Sequence, residues 1–307
     1  MAVKIYRSSD TSAPILTGEL GTLNALLYAC LVIGYGSKTA LGWSRAFNDP
    51  ANDTSVFLNG AGSTGTYLRV DDGAPGAGVA REARAVAYLT MSDVDTGTGN
   101  TGNVFIRKSA SVDATARSWT LIGSEKVFYL FVYNGDTGGY ASVFAFGDCY
   151  SYKPSDLYRA VLIGRTTENT SSATSGTDAF AVLTAGIGVT TSAHSIMRSY
   201  TGVGSPAALG KHANYFEANQ VIIGGVGGVT YPNPVDGGLL LAQVCVHEVD
   251  LARGELPGIW APLHNNALAK GDTLNGVGGL GSKTFEVISI YLLGQCLIET
   301  SDTWTEN

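Results

Sequence analysis

The stretch of sequence that decides the fold reads Val127-Phe128-Tyr129-Leu130-Phe131-Val132-Tyr133. Successive side chains of a β-strand point to opposite faces, and here both sets of alternate residues are apolar. The turn residues Asn134-Gly135 follow, and an apolar run resumes after Gly138-Gly139. The pattern therefore predicts the central strand of a β-hairpin.

Further short runs rich in β-branched and aromatic residues lie on both sides of this hairpin, separated by turn residues. They are residues 66–70, 84–89, 119–122, 141–146 and 158–164 in the first half, and 179–184, 220–223, 238–248, 284–293 and 297–299 in the second. The 40 glycines, against 9 prolines, are typical of many turns between short strands. The predicted fold class is mainly β, a strand-rich body of the sandwich or barrel type.

One short helix is predicted near the N-terminus, over residues 22–33. The apolar positions that share one helical face are Leu23, Leu26, Leu27, Cys30 and Leu31. Thr22 is placed to cap the first turn, and Gly34 is placed to end the helix. We expect the apolar face to dock onto the sheet.

A polar run separates two strand-rich halves. Residues 166–177 have no apolar period and are almost entirely small and polar. We therefore expect a polar linker or exposed loop at residues 166–178. It would divide an N-terminal β-rich domain, residues 1–165, from a C-terminal β-rich domain, residues 179–307.

The charge balance argues against nucleic acid as a direct partner, and the short apolar runs argue against membrane insertion. The formal net charge is −7, and lysines and arginines are scattered singly, so no basic field attracts phosphate. Residues 1–6 run straight into a polar segment, so we expect no signal peptide. The longest helix-like apolar run, residues 23–33, is shorter than the about 20 residues that cross a bilayer. We expect synthesis in the cytoplasm.

The composition also favours subunit interfaces. Charged residues make up 15% of the chain, below the roughly 25% usual for soluble domains. A surface so poor in charge is often covered by neighbouring molecules.

The cysteines are far apart, lie in apolar stretches and have no CxxC spacing, so we expect buried free thiols; they are Cys30, Cys149, Cys245 and Cys296.

Two motifs that suggest ligand sites are better explained as turns. Residues 276–281 fit the GxGxxG string, but a strand pattern follows, whereas a dinucleotide site needs a helix there. Residues 93–100 place carboxylates and glycines at a spacing that suits a calcium ion. They lack the further acidic ligands of an EF-hand, so a solvated turn with Asp side chains bonded to their own backbone is favoured.

No residue receives a catalytic, cofactor-binding or metal-binding assignment. The histidines have no metal-ligand spacing; they are His194, His212, His247 and His264. Asp71 and Asp72 are neighbours on a strand and point to opposite faces, so they do not form a shared acid–base pair. We therefore expect no cofactor and no enzymatic activity.

The aromatic residues have two interpretations. They fill a packed core and subunit interfaces, or they form a stacking platform for sugars. Core and interface filling is favoured for the tryptophans, which are Trp43, Trp119, Trp260 and Trp304.

Pro257-Gly258 predicts a turn, Trp260 is expected to be buried just after it, and Pro262 is expected to stop further pairing.

Several segments resemble a family of tailed-phage and prophage virion proteins. The longest is Arg253-Gly254-Glu255-Leu256-Pro257-Gly258-Ile259-Trp260-Ala261-Pro262-Leu263-His264. The others are residues 1–10, 23–27, 30–38, 42–43, 67–72, 91–97, 146–148, 163–165 and 298–304, so the resemblance covers nearly the full chain.

The resemblance implies a structural subunit of the virion rather than an enzyme. A tail or baseplate component is the first choice; the alternatives are a head or neck decoration protein and a receptor- or carbohydrate-binding fibre module. The implied partners are other phage structural proteins, copies of the same chain and, for a fibre module, a host-surface glycan. A glycan-cleaving depolymerase needs a carboxylate pair, which the sequence does not locate.

Overall fold

The computed structural model describes residues 1–73, 82–135, 141–165, 192–202, 210–213, 232, 235–248, 251–262, 268–289 and 295–304. Within these ranges the chain is built mainly of antiparallel strands, with one short helix near the N-terminus. The predicted mainly β fold class is confirmed. No helix in these ranges is long and apolar enough to cross a membrane.

Most strands belong to a large sheet or to a smaller second sheet. Their bounds are β1 Lys4–Arg7, β2 Ser44–Asp49, β3 Thr54–Leu58, β4 Tyr67–Asp71, β5 Glu82–Tyr88, β6 Thr90–Met91, β7 Gly97–Thr98, β8 Val104–Arg107, β9 Ser118–Gly123, β10 Val127–Tyr133, β11 Ser142–Asp148, β12 Tyr150–Ser151, β13 Ala160–Arg165, β14 Ser192–Ile196, β15 Gly210–Ala213, β16 Leu241–Glu248, β17 Leu251–Pro262, β18 Thr273–Asn275, β19 Thr284–Ser289 and β20 Gln295–Glu299. The large sheet has the order β1-β9-β10-β11-β13-β8-β5-β4-β3-β2, with β14 also paired to β13. The second sheet has the order β15-β16-β17-β20-β19-β18, with β12 also paired to β17, and β6 and β7 form a separate hairpin.

The helix lies where the sequence predicts it. α1 spans Thr22–Tyr28, continues as a π-helical turn over Ala29–Ile33, and ends at Gly34, whose φ of 82° suits glycine. The predicted cap is wrong, because Gly21 occupies the N-cap position and makes no side-chain bond. The Thr22 hydroxyl instead bonds carbonyl groups that precede the helix.

The helix and the central strand β10 share the first hydrophobic core. The apolar helix face is fully buried against one face of the large sheet, where Phe128, Leu130 and Val132 point inward. Tyr129 and Phe131 point the other way, into a second core between the two sheets. Strand β10 is therefore covered on both faces, and its predicted place in the centre of a hairpin is confirmed by its pairing with β9 and β11.

The large sheet curls around the helix. The segment before β2 reaches the β9–β10 turn, where the Trp43 indole donates to the Ser124 carbonyl at 2.9 Å. The Gly60 N–H group, after β3, donates to the Glu125 carbonyl at 2.7 Å. Strands β2 and β3 lie at one end of the strand order and β9 near the other. These contacts therefore need a sheet that bends back on itself.

The two sheets pack face to face and exchange short segments. Tyr150 in β12 follows the large sheet in sequence yet pairs with Glu255 of β17 in the second sheet. At the chain ends, the N–H of Trp304 donates to the Met1 carbonyl at 3.0 Å. The predicted linker at residues 166–178 and the predicted strands at 179–184 and 220–223 lie outside the described residues. The division into domains at 1–165 and 179–307 stays a prediction.

The predicted turn at Pro257-Gly258 is wrong. These residues lie inside the long strand β17, where the pairing partners of β16 jump from Trp260 opposite Gln243 to Glu255 opposite Cys245. The extra residues form a bulge, which keeps the strand continuous while it bends. The expectation for Trp260 is confirmed, since its side chain is buried against Phe285.

Candidate functional site

The glycine-rich motif is a turn. A short 3₁₀ turn covers Gly278–Leu280, and β19 begins at Thr284, so a strand and not a helix follows the motif. The Val277 side chain is exposed at its tip. The predicted turn is confirmed, and the motif lacks the helix N-terminus against which a dinucleotide binds.

The acidic loop at residues 93–100 is also a turn. Its residues 93–96 lie in the turn between the hairpin strands β6 and β7, of which β7 covers Gly97–Thr98, and the Asp93 carboxylate accepts the Val94 N–H at 2.7 Å. Asp95 pairs with Arg69 at 2.6 Å. The favoured solvated turn is confirmed. Among the described residues, no group of three or more acidic, His or Cys side chains is placed to hold a metal ion.

Asp71 and Asp72 lie on opposite faces, as predicted. Asp71 binds Arg84 at 2.6 Å on the outer face of the large sheet. Asp72 is fully buried, pairs with the equally buried Lys108, and accepts the Leu23 N–H at 2.8 Å. Burial raises the pKa of Asp72 to about 6 against the opposing effect of Lys108, and burial lowers the pKa of Lys108. This ion pair holds the start of the helix against the sheet.

The cysteine thiols are free, as predicted. Cys30, Cys149 and Cys296 are buried, and burial raises the pKa of Cys149 to about 12. Cys245 departs from the prediction, because it is half-buried, with its sulfur 4.0 Å from the Tyr152 hydroxyl. The four histidine side chains lie outside the described part of the chain.

A buried ionic cluster stands at the edge where the two sheets meet. Arg253 pairs with Asp156, whose Oδ2 lies 2.7 Å from an Nη atom, and also with Glu248. The Ser151 hydroxyl donates to Asp156 at 2.6 Å, and the Tyr200 N–H donates to Glu248 at 2.8 Å. We call Arg253, Asp156 and Glu248 the Arg253 cluster. The cluster fixes the segments around residues 151–158 and 199–202 on the second sheet.

Large apolar side chains project into solvent from the segments that the Arg253 cluster holds. We call this surface the ledge; it consists of Tyr152, Leu157, Tyr200 and Leu251, which are between 45% and 69% exposed. Each ledge residue adjoins the cluster: Leu157 follows Asp156, and Leu251 pairs opposite Glu248. The Tyr152 N–H donates to the Arg253 carbonyl, and the Tyr200 N–H donates to Glu248.

Polar groups line the ledge. The Tyr152 hydroxyl donates to the Glu255 carboxylate at 2.7 Å. The Lys153 ammonium donates to the Tyr200 carbonyl at 2.5 Å. An apolar surface with a polar rim, held on a rigid base, is typical of a protein contact surface.

Sequence reasoning missed the buried Asp72–Lys108 pair and the Arg253 cluster. Lys108 directly follows the strand β8, and a charged residue at the end of a buried strand is a weak signal of a buried partner. The Arg253 cluster has no local signal, because its three members are distant from one another in sequence or lie on different strands.

A scan against protein-family models finds no match, and a search of the curated proteins finds no match either. The resemblance to phage virion proteins therefore stays a prediction.

Proposed function

We propose that the protein is a structural subunit of a tailed-phage virion, in the tail or baseplate, and that it acts through contacts between subunits. The contrast between buried charge and exposed apolar surface carries this proposal. The Arg253 cluster uses its charges in internal bonds, whereas the ledge presents four large apolar side chains to solvent. Apolar surface of this kind marks sites of protein contact.

The bonding of the buried carboxylates supports a non-catalytic role. A general acid or base must reach the proton that it transfers on a substrate. Asp148 is bound by the Thr64 N–H and hydroxyl at 2.9 and 2.6 Å and by Arg159 at 3.2 Å. Asp156 is bound by Ser151, Tyr158 and Arg253. Donors within the protein already occupy these carboxylates.

Virion purification tests the proposed function. The phage that encodes the chain is grown, its particles are banded by density, and their proteins are identified by mass spectrometry. We expect the chain at stoichiometric, multi-copy abundance, and antibody labelling in electron micrographs should mark the tail or baseplate. Absence from purified particles would overturn the proposal, and labelling of the head or neck would assign it to decoration there.

A receptor- or carbohydrate-binding fibre module is the second candidate, and the exposed rings of Tyr152 and Tyr200 favour it. Sugars stack on exposed aromatic rings beside hydrogen-bonding groups, and Glu255 supplies such a group. A glycan array probed with the parent and with Tyr152→Ala and Tyr200→Ala tests it. Binding that both variants lose would support this function, and a parent that binds no glycan would remove it.

A further inference from the structure

A second exposed apolar surface lies far from the ledge. It consists of Ile15, Leu20 and Val112, which are between 49% and 67% exposed, and we call it the loop patch. Its two segments run side by side. The Gly18 N–H donates to the Asp113 carbonyl at 3.0 Å, and Leu16 forms an antiparallel bridge with Arg117.

The strand register places the loop patch and the ledge at opposite ends of the large sheet. The loop patch directly precedes the start of β9, where Ser118 pairs with Tyr133 at the end of β10. The ledge follows the end of β11, where Asp148 pairs with Ala160 at the start of β13. Because β10 and β11 are antiparallel, the end of β11 lies beside the start of β10. A strand of six or seven residues, about 20 Å in length, separates the two surfaces.

The exposed charged residues at the rims of the two surfaces are complementary, whereas Arg117, 3.7 Å from Asp113, and Glu255, bonded to the Tyr152 hydroxyl, are half-buried. Glu19 and Asp113 are exposed beside the loop patch. Lys153 is exposed beside the ledge. Opposite charges at the rims of two apolar surfaces steer association and set its orientation.

We infer that copies of the chain assemble head to tail, with the loop patch of one copy seated on the ledge of the next; this rests on the proposed role as a structural subunit. Two different surfaces on one chain make a heterologous contact. Such a contact repeats, and it gives a ring where the rotation between copies closes and a filament where it does not. The partner at the ledge is therefore a second copy of this chain.

Variants that block one surface at a time test the inference. Leu157→Asp puts a charge on the ledge, and Val112→Asp puts one on the loop patch. Val277→Asp, at an exposed position on the glycine-rich turn, is the matched control. Thermal unfolding should show that all three fold, because each replaced side chain is exposed. By sedimentation velocity over a concentration series, we expect the parent and Val277→Asp to form oligomers, and each surface variant to be monomeric.

Mixing the two surface variants distinguishes head-to-tail contact from contact between two like surfaces. Leu157→Asp keeps an intact loop patch and Val112→Asp keeps an intact ledge, so an equimolar mixture should form a dimer and nothing larger. If the ledge instead contacts another ledge, Val112→Asp will assemble like the parent. That result, or a mixture that stays monomeric, would overturn the inference.

Exchanging the rim charges gives a second readout. Lys153→Glu is expected to raise the concentration needed for assembly by roughly tenfold or less, since rim charges act mainly on association. Adding Glu19→Lys should reverse the effect, because Glu19 is exposed beside the loop patch. A parent that stays monomeric at every concentration rejects head-to-tail assembly, whereas its presence in purified virions would still uphold the structural role.

Discussion

At the scale of single residues, the Asp72–Lys108 pair places two opposite charges inside the protein. Both side chains are fully buried, and each directly compensates the charge of the other. Removing one partner of a buried pair leaves an uncompensated charge, whereas replacing both with apolar groups is often neutral. The pair therefore defines a sharp mutational test.

We expect Lys108→Met to lower the free energy of unfolding at pH 7 by about 3–5 kcal/mol, because it leaves the buried Asp72 carboxylate without its cationic partner. The double variant Asp72→Asn with Lys108→Met should recover most of this loss. Urea unfolding of the parent, the single variant and the double variant measures both values. A single variant as stable as the parent would mean that Asp72 takes up a proton at no cost when Lys108 is absent.

The same pair predicts a pH dependence of stability. Burial raises the pKa of Asp72 from 3.8 to about 6, so the folded state binds the proton more readily than the unfolded state. The contribution of a group with a raised folded pKa is complete below its unfolded value and is lost as pH rises through the folded value. The stability of the parent, taken relative to the double variant, should therefore fall between about pH 4 and pH 6.

Urea unfolding of both proteins across this range isolates the effect of Asp72, because the other titrating groups are shared. A difference that grows with pH would show that the attraction of Lys108 outweighs burial and lowers the pKa of Asp72.

At the scale of elements, the bulge in β17 shows how one glycine allows a strand to bend around a large ring. Gly258 has a φ of 71°, and a Cβ there would lie 2.2 Å from the Trp304 indole. Trp304 is buried between the sheets and packs edge-on against Tyr129 at 5.9 Å. The bulge thus provides the space that the Trp304 ring occupies.

We expect Gly258→Ala to destabilise the protein more than an alanine at a glycine that has the same backbone conformation and open space. Gly271 has a φ of 83°, and a Cβ there would meet no atom within 4 Å, so Gly271→Ala is the control. The control should cost about 1–2 kcal/mol of backbone strain. Gly258→Ala should cost a further roughly 1–3 kcal/mol, because the methyl group displaces Trp304.

Denaturant unfolding compares the two variants. Equal losses would mean that the Trp304 ring moves aside without cost. Intrinsic fluorescence of Gly258→Ala should also shift if the indole leaves its buried seat.

Elements differ in how well their sequences predict them. Strands β10 and β11 are long and apolar, so their patterns predict them closely. Strand β2, Ser44–Asp49, has one large apolar residue and lies at the edge of the sheet, and β8 has only four residues. Such strands form because they hydrogen-bond to a neighbouring strand. The identity of that neighbour is not visible in the local sequence.

At the scale of the whole molecule, the two sheets are joined by a shared core and by the chain ends. Tyr129 of the large sheet and Ile259 of the second sheet belong to one buried cluster. Arg7 of β1 binds Glu286 of β19 through two hydrogen bonds, at 3.1 and 2.5 Å. The N–H of Val3 donates to the Asp302 carbonyl at 2.8 Å.

We therefore expect the two sheets to unfold together. Differential scanning calorimetry should show a single transition whose calorimetric and van't Hoff enthalpies agree, because separating the sheets exposes their common core. Two resolved transitions would instead indicate that residues 1–165 and 179–307 are independent domains. The experiment therefore tests the division into two domains that the polar run at 166–178 predicts.

The sequence by itself determined the β class, the central strand β10, the helix that ends at Gly34 and the turns at 93–100 and 276–281. These features depend on the alternation of neighbouring side chains and on turn residues, which are local. Only the tertiary structure decided that Arg253 meets Asp156, that Lys108 meets Asp72, and that Trp304 sits over Gly258 beside Tyr129. These contacts join distant parts of the chain, and their energies depend on burial and strand pairing that exist only once the sheets have formed.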